Sequence, residues 1–368
     1  MKICHIISGD LWGGAESMAF HLLESLNLYS DIELEIIVLN KGILFDKLNS
    51  KGIKTYLLNE NKLNFLNIVV DVRKILHRTK PDIIHSHRYK ENIISCLSRG
   101  FSSRMKLIAT QHGLSEKFDD SVDLKNQFVL KLNLWFLKNF FSKIISVSRR
   151  MKGKLKAFYR INGEMIEIIH NGIDINHVKE KKRAANKFFI GSAGRFFPVK
   201  DYPLMVKIAG IIKKETDGIK FKIAGDGPEF NNVCDCIKEL NLLDSFQLAG
   251  HVNNIQSFYS NIDLYLNTSI YEGLPMSVLE AMSMGLPVIA PDTGGLGEII
   301  KNGVNGFLIS SREPEKFAEK CILLFKNNQL YKNMSQEAYR TVKQNFTRSA
   351  MAEKYYSLYK RVLTIPAR

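Results

Sequence analysis

Glu272 and Glu280 stand eight positions apart in the stretch YEGLPMSVLEAMSMGLP, Tyr271 to Pro287, and flank a loop that runs into a short helix. Pro275 suits the first helical position, Gly285 a left-handed exit and Pro287 a stop, so the helix is expected over about 275 to 284. Backbone N–H groups left unpaired at a helix start take phosphate or sugar oxygens, and carboxylates accept hydrogen bonds from hydroxyls. The pair therefore fits a polyhydroxylated, anionic ligand, and a sugar nucleotide carries both kinds of group. A plain capped helix fits the same residues.

Cationic partners for such a ligand occur in GSAGRFFPVKD, where Arg195 and Lys200 lie in a loop stiffened by glycine and proline. Guanidinium and ammonium together neutralise a diphosphate leaving group. Near the N-terminus, Gly9, Gly13 and Gly14 form a glycine-rich turn before a helix. The spacing Gly9 to Gly14 matches the opening of a P-loop, but Ala15 and Glu16 replace its lysine and hydroxyl residue, which argues against a nucleoside triphosphatase. Gly225 and Gly227 imitate a dinucleotide fingerprint, but Phe230 occupies the third glycine position and Pro228 interrupts the run, which argues against a dehydrogenase.

His112 ends a strand beside Gly113, which leaves room for a ligand near the imidazole, although a lone histidine is more often structural than catalytic. His85 and His87, at the end of PDIIHSH, are expected to point to opposite faces and not to serve one site. No Asp-x-Asp pair is needed, and no metal or other cofactor is expected.

These residues need strands and turns to hold them. KICHIIS, ELEIIVLN, IKTYLLN, PDIIHSH, KLIATQHG, KIISVS and IEIIHNG alternate with helical stretches, the pattern of a parallel sheet covered by helices. The charged stretch 176–187 reads as a linker, after which KFFIGSAG, IKFKIAGDG, SFQLAG, IDLYLNTS and LPVIAPDTGG restart the alternation. The expectation is an α/β chain of two doubly wound domains, 1–178 and 179–348, with a C-terminal helix at about 349–368 packing back on the first. Ligands of open α/β sheets bind at the carboxyl ends of strands, and a cleft between the domains would collect all these motifs.

At 368 residues the length fits two domains, and 45% hydrophobic with 24% charged residues is ordinary for a globular chain. No run approaches the roughly 18 apolar residues of a membrane span, and the apolar start is too short for a signal peptide, so a cytoplasmic protein is expected. Five cysteines without metal-ligand spacing argue against a disulfide framework or zinc site. The net charge of +15 admits nucleic acid, anionic membranes or phosphorylated substrates. No nucleic-acid recognition motif is present. Residues 125–143 mix Phe128, Leu132, Trp135, Phe136 and Phe140 with Lys131, Lys138 and Lys143; Arg149, Arg150, Lys152, Lys154, Lys156 and Arg160 follow. This reads either as a helix packed on the sheet or as a patch for anionic membrane.

EGLPMSVLEAMSMGLPV, GRFFPVKD, AGDGP, the GGAE loop and the NGID element at Asn171 to Asp174 together resemble the family 4 retaining glycosyltransferases of the GT-B fold, over nearly the whole chain. The resemblance implies transfer of a hexose or N-acetylhexosamine from a nucleoside-diphosphate sugar, UDP-sugars leading, to a glycan or lipid-linked glycan. It assigns the donor to Gly13, Gly14, Arg195, Lys200, Gly225, Gly227, Glu272, Gly273, Leu274, Pro275 and Glu280, and the acceptor to Gly14, Glu16 and His112. Catalysis falls to His112, Arg195, Lys200 and Glu272. The one departure is Gly297, where the family usually has proline. A GT-B sugar-nucleotide epimerase and, more remotely, a basic nucleic-acid-binding protein are the competing readings.

Overall fold

Runs such as ICHII and EIIV lack the apolar-polar alternation of a half-exposed strand, as expected where helices cover both faces of a parallel sheet. The computed structural model describes residues 1–100, 104–113, 124–175 and 187–364, with the backbone alone for 124–126. It divides into two units, residues 1–172 with 348–368, and residues 173–347. Most of the charged linker stretch, 176–186, lies outside the described residues.

The first unit contains strands β1 Lys2–Ile7, β2 Glu33–Val38, β3 Thr55–Leu57, β4 Ile83–Ser86, β5 Lys106–Gln111, β6 Phe141–Ser146 and β7 Ile166–Ile168. Its helices are α1 Gly14–Leu26, α2 Ile43–Ser50, α3 Phe65–Thr79, α4 Tyr89–Arg99, α5 Leu124–Phe140 and α6 Arg149–Ala157. The sheet order is β3-β2-β1-β4-β5-β6-β7, all parallel. The order reverses between β1 and β4, where His5 and His85 are register partners. In open α/β sheets such a switch point is where ligands bind.

In the second unit, β8 Phe188–Ala193, β9 Ile219–Ala224, β10 Phe246–Gly250, β11 Leu264–Leu266, β12 Val288–Pro291 and β13 Gly306–Ile309 form a parallel sheet ordered β10-β9-β8-β11-β12-β13. Its helices are α7 Tyr202–Glu215, α8 Phe230–Glu239, α9 Ile255–Ser260, α10 Met276–Ser283, α11 Leu296–Ile299, α12 Pro314–Lys326 and α13 Asn328–Asn345. Strand β13 does not appear among the strands read from sequence, because four residues bounded by a turn give too little pattern. The last helix, α14 Arg348–Thr364, belongs to the first unit, where it packs beside α1.

One boundary shifts. Helix α10 begins at Met276, and Pro275 is its N-cap, with ψ 123° in the extended region, rather than its first helical residue. Gly285 follows the helix with φ +71°, the left-handed exit expected of it.

Candidate functional site

In the second unit the carboxyl ends of β8 and β11 bring two loops together. Thr268 Oγ1 donates to the Lys200 carbonyl at 2.9 Å, and the Ile270 N–H donates to the Val199 carbonyl at 2.8 Å. Lys200 ends a short 3-10 turn, Pro198–Lys200, from which its ammonium reaches Glu272 Oε1 at 2.7 Å. The same oxygen accepts from the Ser269 hydroxyl at 2.7 Å. Burial pulls the Lys200 pKa down, but the Glu272 charge and hydrogen bond outweigh it and the net direction is up, so this lysine stays charged. Asp201 caps α7 by accepting from the Leu204 N–H and pairs with Arg312, which also donates to the carbonyls of Thr268 and Ser269. Arg312 escaped the sequence reading because it lies far along the chain in a stretch without a motif.

Glycines set how closely these loops approach. At Gly294, φ is +54° and an added Cβ would fall 1.6 Å from the Glu272 carbonyl oxygen. Gly225, at φ +137°, lies against the Gly194 carbonyl, where a Cβ would sit 1.9 Å away; at Gly227, φ +154°, a Cβ would sit 2.6 Å from the Phe196 carbonyl oxygen. Gly225 and Gly227 thus brace the loop that carries Arg195. Arg195 itself is exposed and lies 4.6 Å over the Phe197 ring.

Glu280 projects from α10 and accepts from the Tyr259 hydroxyl at 2.9 Å. Burial raises its pKa, and the Tyr259 hydrogen bond offsets part of the rise. Gly273, Leu274 and Pro275 are buried in the turn between the two carboxylates. A Cβ added at Gly297 would meet Asp292 Oδ1 at 3.4 Å and Leu308 Cδ1 at 3.9 Å, ordinary contact distances.

In the first unit, Gly13 caps α1 and Gly14 begins it. Glu16 is almost fully buried and accepts from the Gly13 N–H at 3.1 Å while pairing with Arg88. This occupies the carboxylate assigned to acceptor binding, and the half-exposed Arg88, which the sequence reading passed over, presents the charge there. Glu91, also fully buried, accepts from the Ser8 N–H and hydroxyl and so fixes the other side of the glycine turn.

His112 follows β5, and its Nε2 is 3.1 Å from His87 Nδ1. His87 Nε2 is in turn 2.9 Å from His5 Nδ1. The rings of His85 and His87 stack with centroids 4.5 Å apart, which overturns the expectation of opposite faces. Strand residues two apart project to the same side. Burial lowers the pKa of all four imidazoles, that of His87 to about 3 with the Arg88 charge as second cause. A polar residue inside ICHII was the signal by which His5 could have been noticed.

His5, His85 and His87 place one ligating atom each within 4.8 Å of one another, a set that could hold a metal ion. The geometry is a poor fit. A metal at about 2.0–2.1 Å lies near the plane of each ligating imidazole, whereas His87 stacks on its two neighbours at interplanar angles of 19° and 28°.

A model described as Glycosyltransferase Family 4 matches residues 12–177, and one described as Glycosyl transferases group 1 matches residues 174–341. An Escherichia coli UDP-Gal:alpha-D-GlcNAc-diphosphoundecaprenol alpha-1,3-galactosyltransferase is 25% identical, over 88% of this chain and 87% of its own. A Staphylococcus aureus poly(ribitol-phosphate) alpha-N-acetylglucosaminyltransferase is 25% identical over 92% of this chain and 69% of its own. Among solved structures, Anabaena HepE in complex with UDP superposes with a TM-score of 0.83 at 22% identity, covering 98% of this chain and 100% of that one. With two matching models that between them span residues 12–341, the chain belongs to the family 4 glycosyltransferases of the GT-B fold.

Proposed function

We propose that the protein transfers a hexose or N-acetylhexosamine from a UDP-sugar to a hydroxyl of a glycan or lipid-linked glycan, with retention at the anomeric carbon, in cell-envelope polysaccharide synthesis such as that of lipopolysaccharide or capsule. The observation that carries this reading is the Lys200–Glu272 pair clipped beside the turn into α10, with Glu280 on that helix. Two carboxylates accept from sugar and ribose hydroxyls, and two cations meet the diphosphate, as the family resemblance implies. The relatives that use UDP-galactose or add N-acetylglucosamine support the donor class, and the diphosphoundecaprenol acceptor of one supports a lipid-linked acceptor.

In this reading Glu280 holds the ribose, Glu272 a hydroxyl of the transferred sugar, and Arg195 with Lys200 the departing diphosphate. As the glycosidic bond breaks, negative charge grows on the leaving phosphate and these preorganised cations stabilise it more than they stabilise the ground state. The leaving phosphate takes the acceptor proton in a same-face attack. With this charge supplied by side chains, the chemistry needs no metal. The first unit supplies acceptor recognition, and His112 meets a sugar hydroxyl.

An exposed stripe of Phe128 and Trp135 on α5, with Lys131 and Lys138 at helical spacing between and after them, and the exposed Phe158 beside the basic α6 support reversible attachment to an anionic membrane face. No helix among the described residues is long and apolar enough to cross a membrane.

The deciding experiment incubates the protein with UDP-, GDP- and ADP-sugars with and without glycan acceptors. A glycosylated product with the donor's anomeric configuration supports the proposal. An altered free sugar formed without acceptor identifies an epimerase.

A further inference from the structure

Arg312 lies outside the loops that carry Lys200 and Glu272, yet it is bound to both. It follows β13, two strands beyond β11 in the sheet, on the short link into α12. Its Nη2 donates to the Thr268 carbonyl at 2.7 Å and pairs with Asp201 Oδ2, while Nη1 donates to the Ser269 carbonyl at 3.2 Å. Thr268 and Ser269 are each 1% exposed, so their backbone lies in a buried segment that takes its hydrogen bonds from within the protein.

The two ends of this bridge lead to the same ionic pair. On one side, the Ser269 hydroxyl donates to Glu272 Oε1 at 2.7 Å, so a fixed Ser269 backbone fixes a donor to the carboxylate. On the other, Asp201 directly follows Lys200, closing the turn Pro198–Lys200 and capping α7. Its backbone is left-handed, with φ 44° and ψ 53°, a conformation rare for side-chain-bearing residues and more accessible to aspartate than to most. Its carboxylate is shared, Oδ1 accepting from the Leu204 N–H at 3.3 Å and Oδ2 from Arg312. Arg312 thus anchors the residue at which the chain turns away from Lys200.

A solvent-exposed ion pair by itself contributes little, and the Arg312 side chain is 39% exposed. What sets Arg312 apart is a rigid planar fork that meets three acceptors on two loops, an arrangement the single nitrogen of lysine does not reproduce. A sugar nucleotide that hydrogen-bonds Glu272 and offers its phosphates to Lys200 competes with the direct bond between them. The contacts of Arg312 use neither side chain, so they persist when that bond opens.

We propose that Arg312 is a positioning residue for the transfer: by tying Asp201 to the backbone of Thr268 and Ser269, it keeps the Lys200 ammonium and the Glu272 carboxylate in place while the donor is bound. The benefit to the departing diphosphate rests on the glycosyltransferase reading above; the placement of Lys200 does not. Preorganised charge lowers the barrier more than it tightens ground-state binding, so a loosened Lys200 is felt in kcat.

The test compares Arg312→Ala with the wild type in steady-state kinetics with the UDP-sugar, and by NMR of ligand-free protein labelled with 13C-lysine, the Lys200 signal being assigned by its loss in Lys200→Ala. Arg312→Ala is expected to lower kcat about tenfold, to change KM by less than about threefold and to shift the Lys200 Cε resonance. In a Lys200→Ala background the same substitution is expected to cost less than about twofold, because the group it positions is gone. The full loss in that background would mark a general weakening of the fold and overturn the proposal. An unchanged kcat, with or without a raised KM, or an unshifted Lys200 resonance in the folded variant, would overturn it too. If Arg312→Ala fails to fold, two milder variants read the same quantities: Arg312→Lys, which keeps the charge and loses the fork, and Asp201→Asn, which keeps a helix cap and tolerates the left-handed turn. Each is expected to lower kcat by about threefold to tenfold and to shift the same resonance. Absence of transfer by the wild type from any UDP-, GDP- or ADP-sugar overturns the transferase reading, and the Lys200 resonance then still decides whether Arg312 positions it.

Discussion

The Lys200 ammonium lies 2.7 Å from Glu272 Oε1, and the Ser269 hydroxyl donates to that same oxygen. Lysine and carboxylate thus hold each other in place from separate loops while keeping limited solvent access. A ligand that hydrogen-bonds the carboxylate and brings its own phosphate charge replaces the two halves of this pair with matching partners. Lys200→Ala and Arg195→Ala are each expected to lower kcat by about 100-fold, on the order of 3 kcal/mol in the barrier. Donor affinity should change less, and steady-state kinetics with the UDP-sugar reads the split. A raised KM with unchanged kcat contradicts a role at the leaving group.

If, as proposed, these two cations supply the positive charge, EDTA is expected to leave the initial rate within about twofold of the untreated rate, the spread of an effect below 0.5 kcal/mol. Loss of activity that added magnesium or manganese restores would show that a metal carries the diphosphate.

Glu280 has a raised folded-state pKa from burial. Between the ordinary carboxylate value, about 4.3, and that raised value, the folded state binds more protons than the unfolded chain. Stability therefore falls as pH rises through the window. Glu280→Gln removes this dependence. Its melting temperature should lose less than that of the wild type between about pH 4 and about pH 7, while donor binding weakens sharply because one acceptor of two hydroxyls is gone. Parallel pH dependences of the two melting curves, or unchanged donor affinity, would contradict the assignment.

Two glycines three positions apart, Gly294 before α11 and Gly297 within it, should respond oppositely. At Gly294 an alanine Cβ would collide with the Glu272 carbonyl in left-handed backbone, and Gly294→Ala is expected to cost about 1–3 kcal/mol and to impair donor binding. Gly297 lies inside α11 with no neighbour closer than 3.4 Å, so Gly297→Ala is expected to be neutral or stabilising by up to about 1 kcal/mol. Urea unfolding with donor titration checks both. Equal responses would show that the turn relaxes freely.

Phe128 and Trp135 are 66% and 52% exposed, whereas Phe136 on the same helix is buried. The wild-type protein is expected to bind anionic vesicles at low salt and to release as salt shortens the screening length. Phe128→Ser combined with Trp135→Ser should weaken binding at least tenfold, about 1.4 kcal/mol, without loss of activity on a soluble acceptor analogue. No vesicle binding by the wild type would mark the stripe as unrelated to membranes.

Sequence alone determined the two parallel α/β sheets, the turn that carries Glu272 and Glu280, and the loop that carries Arg195 and Lys200. These are local: hydrophobic runs, glycine and proline spacing and helix limits express backbone preferences over a few residues. Only tertiary structure decided the partners. Glu16 is taken up by Arg88, which is 72 positions away, and Asp201 by Arg312, 111 positions away. Tyr359 meets His85 across 274. Such pairs have no period in the sequence, because register between strands and the return of α14 to the first unit set them. The expectation for His85 and His87 failed for another reason: it miscounted the alternation along the strand, where residues two apart share a face, while the stacking of those rings with His5 depends on the neighbouring strand that places it.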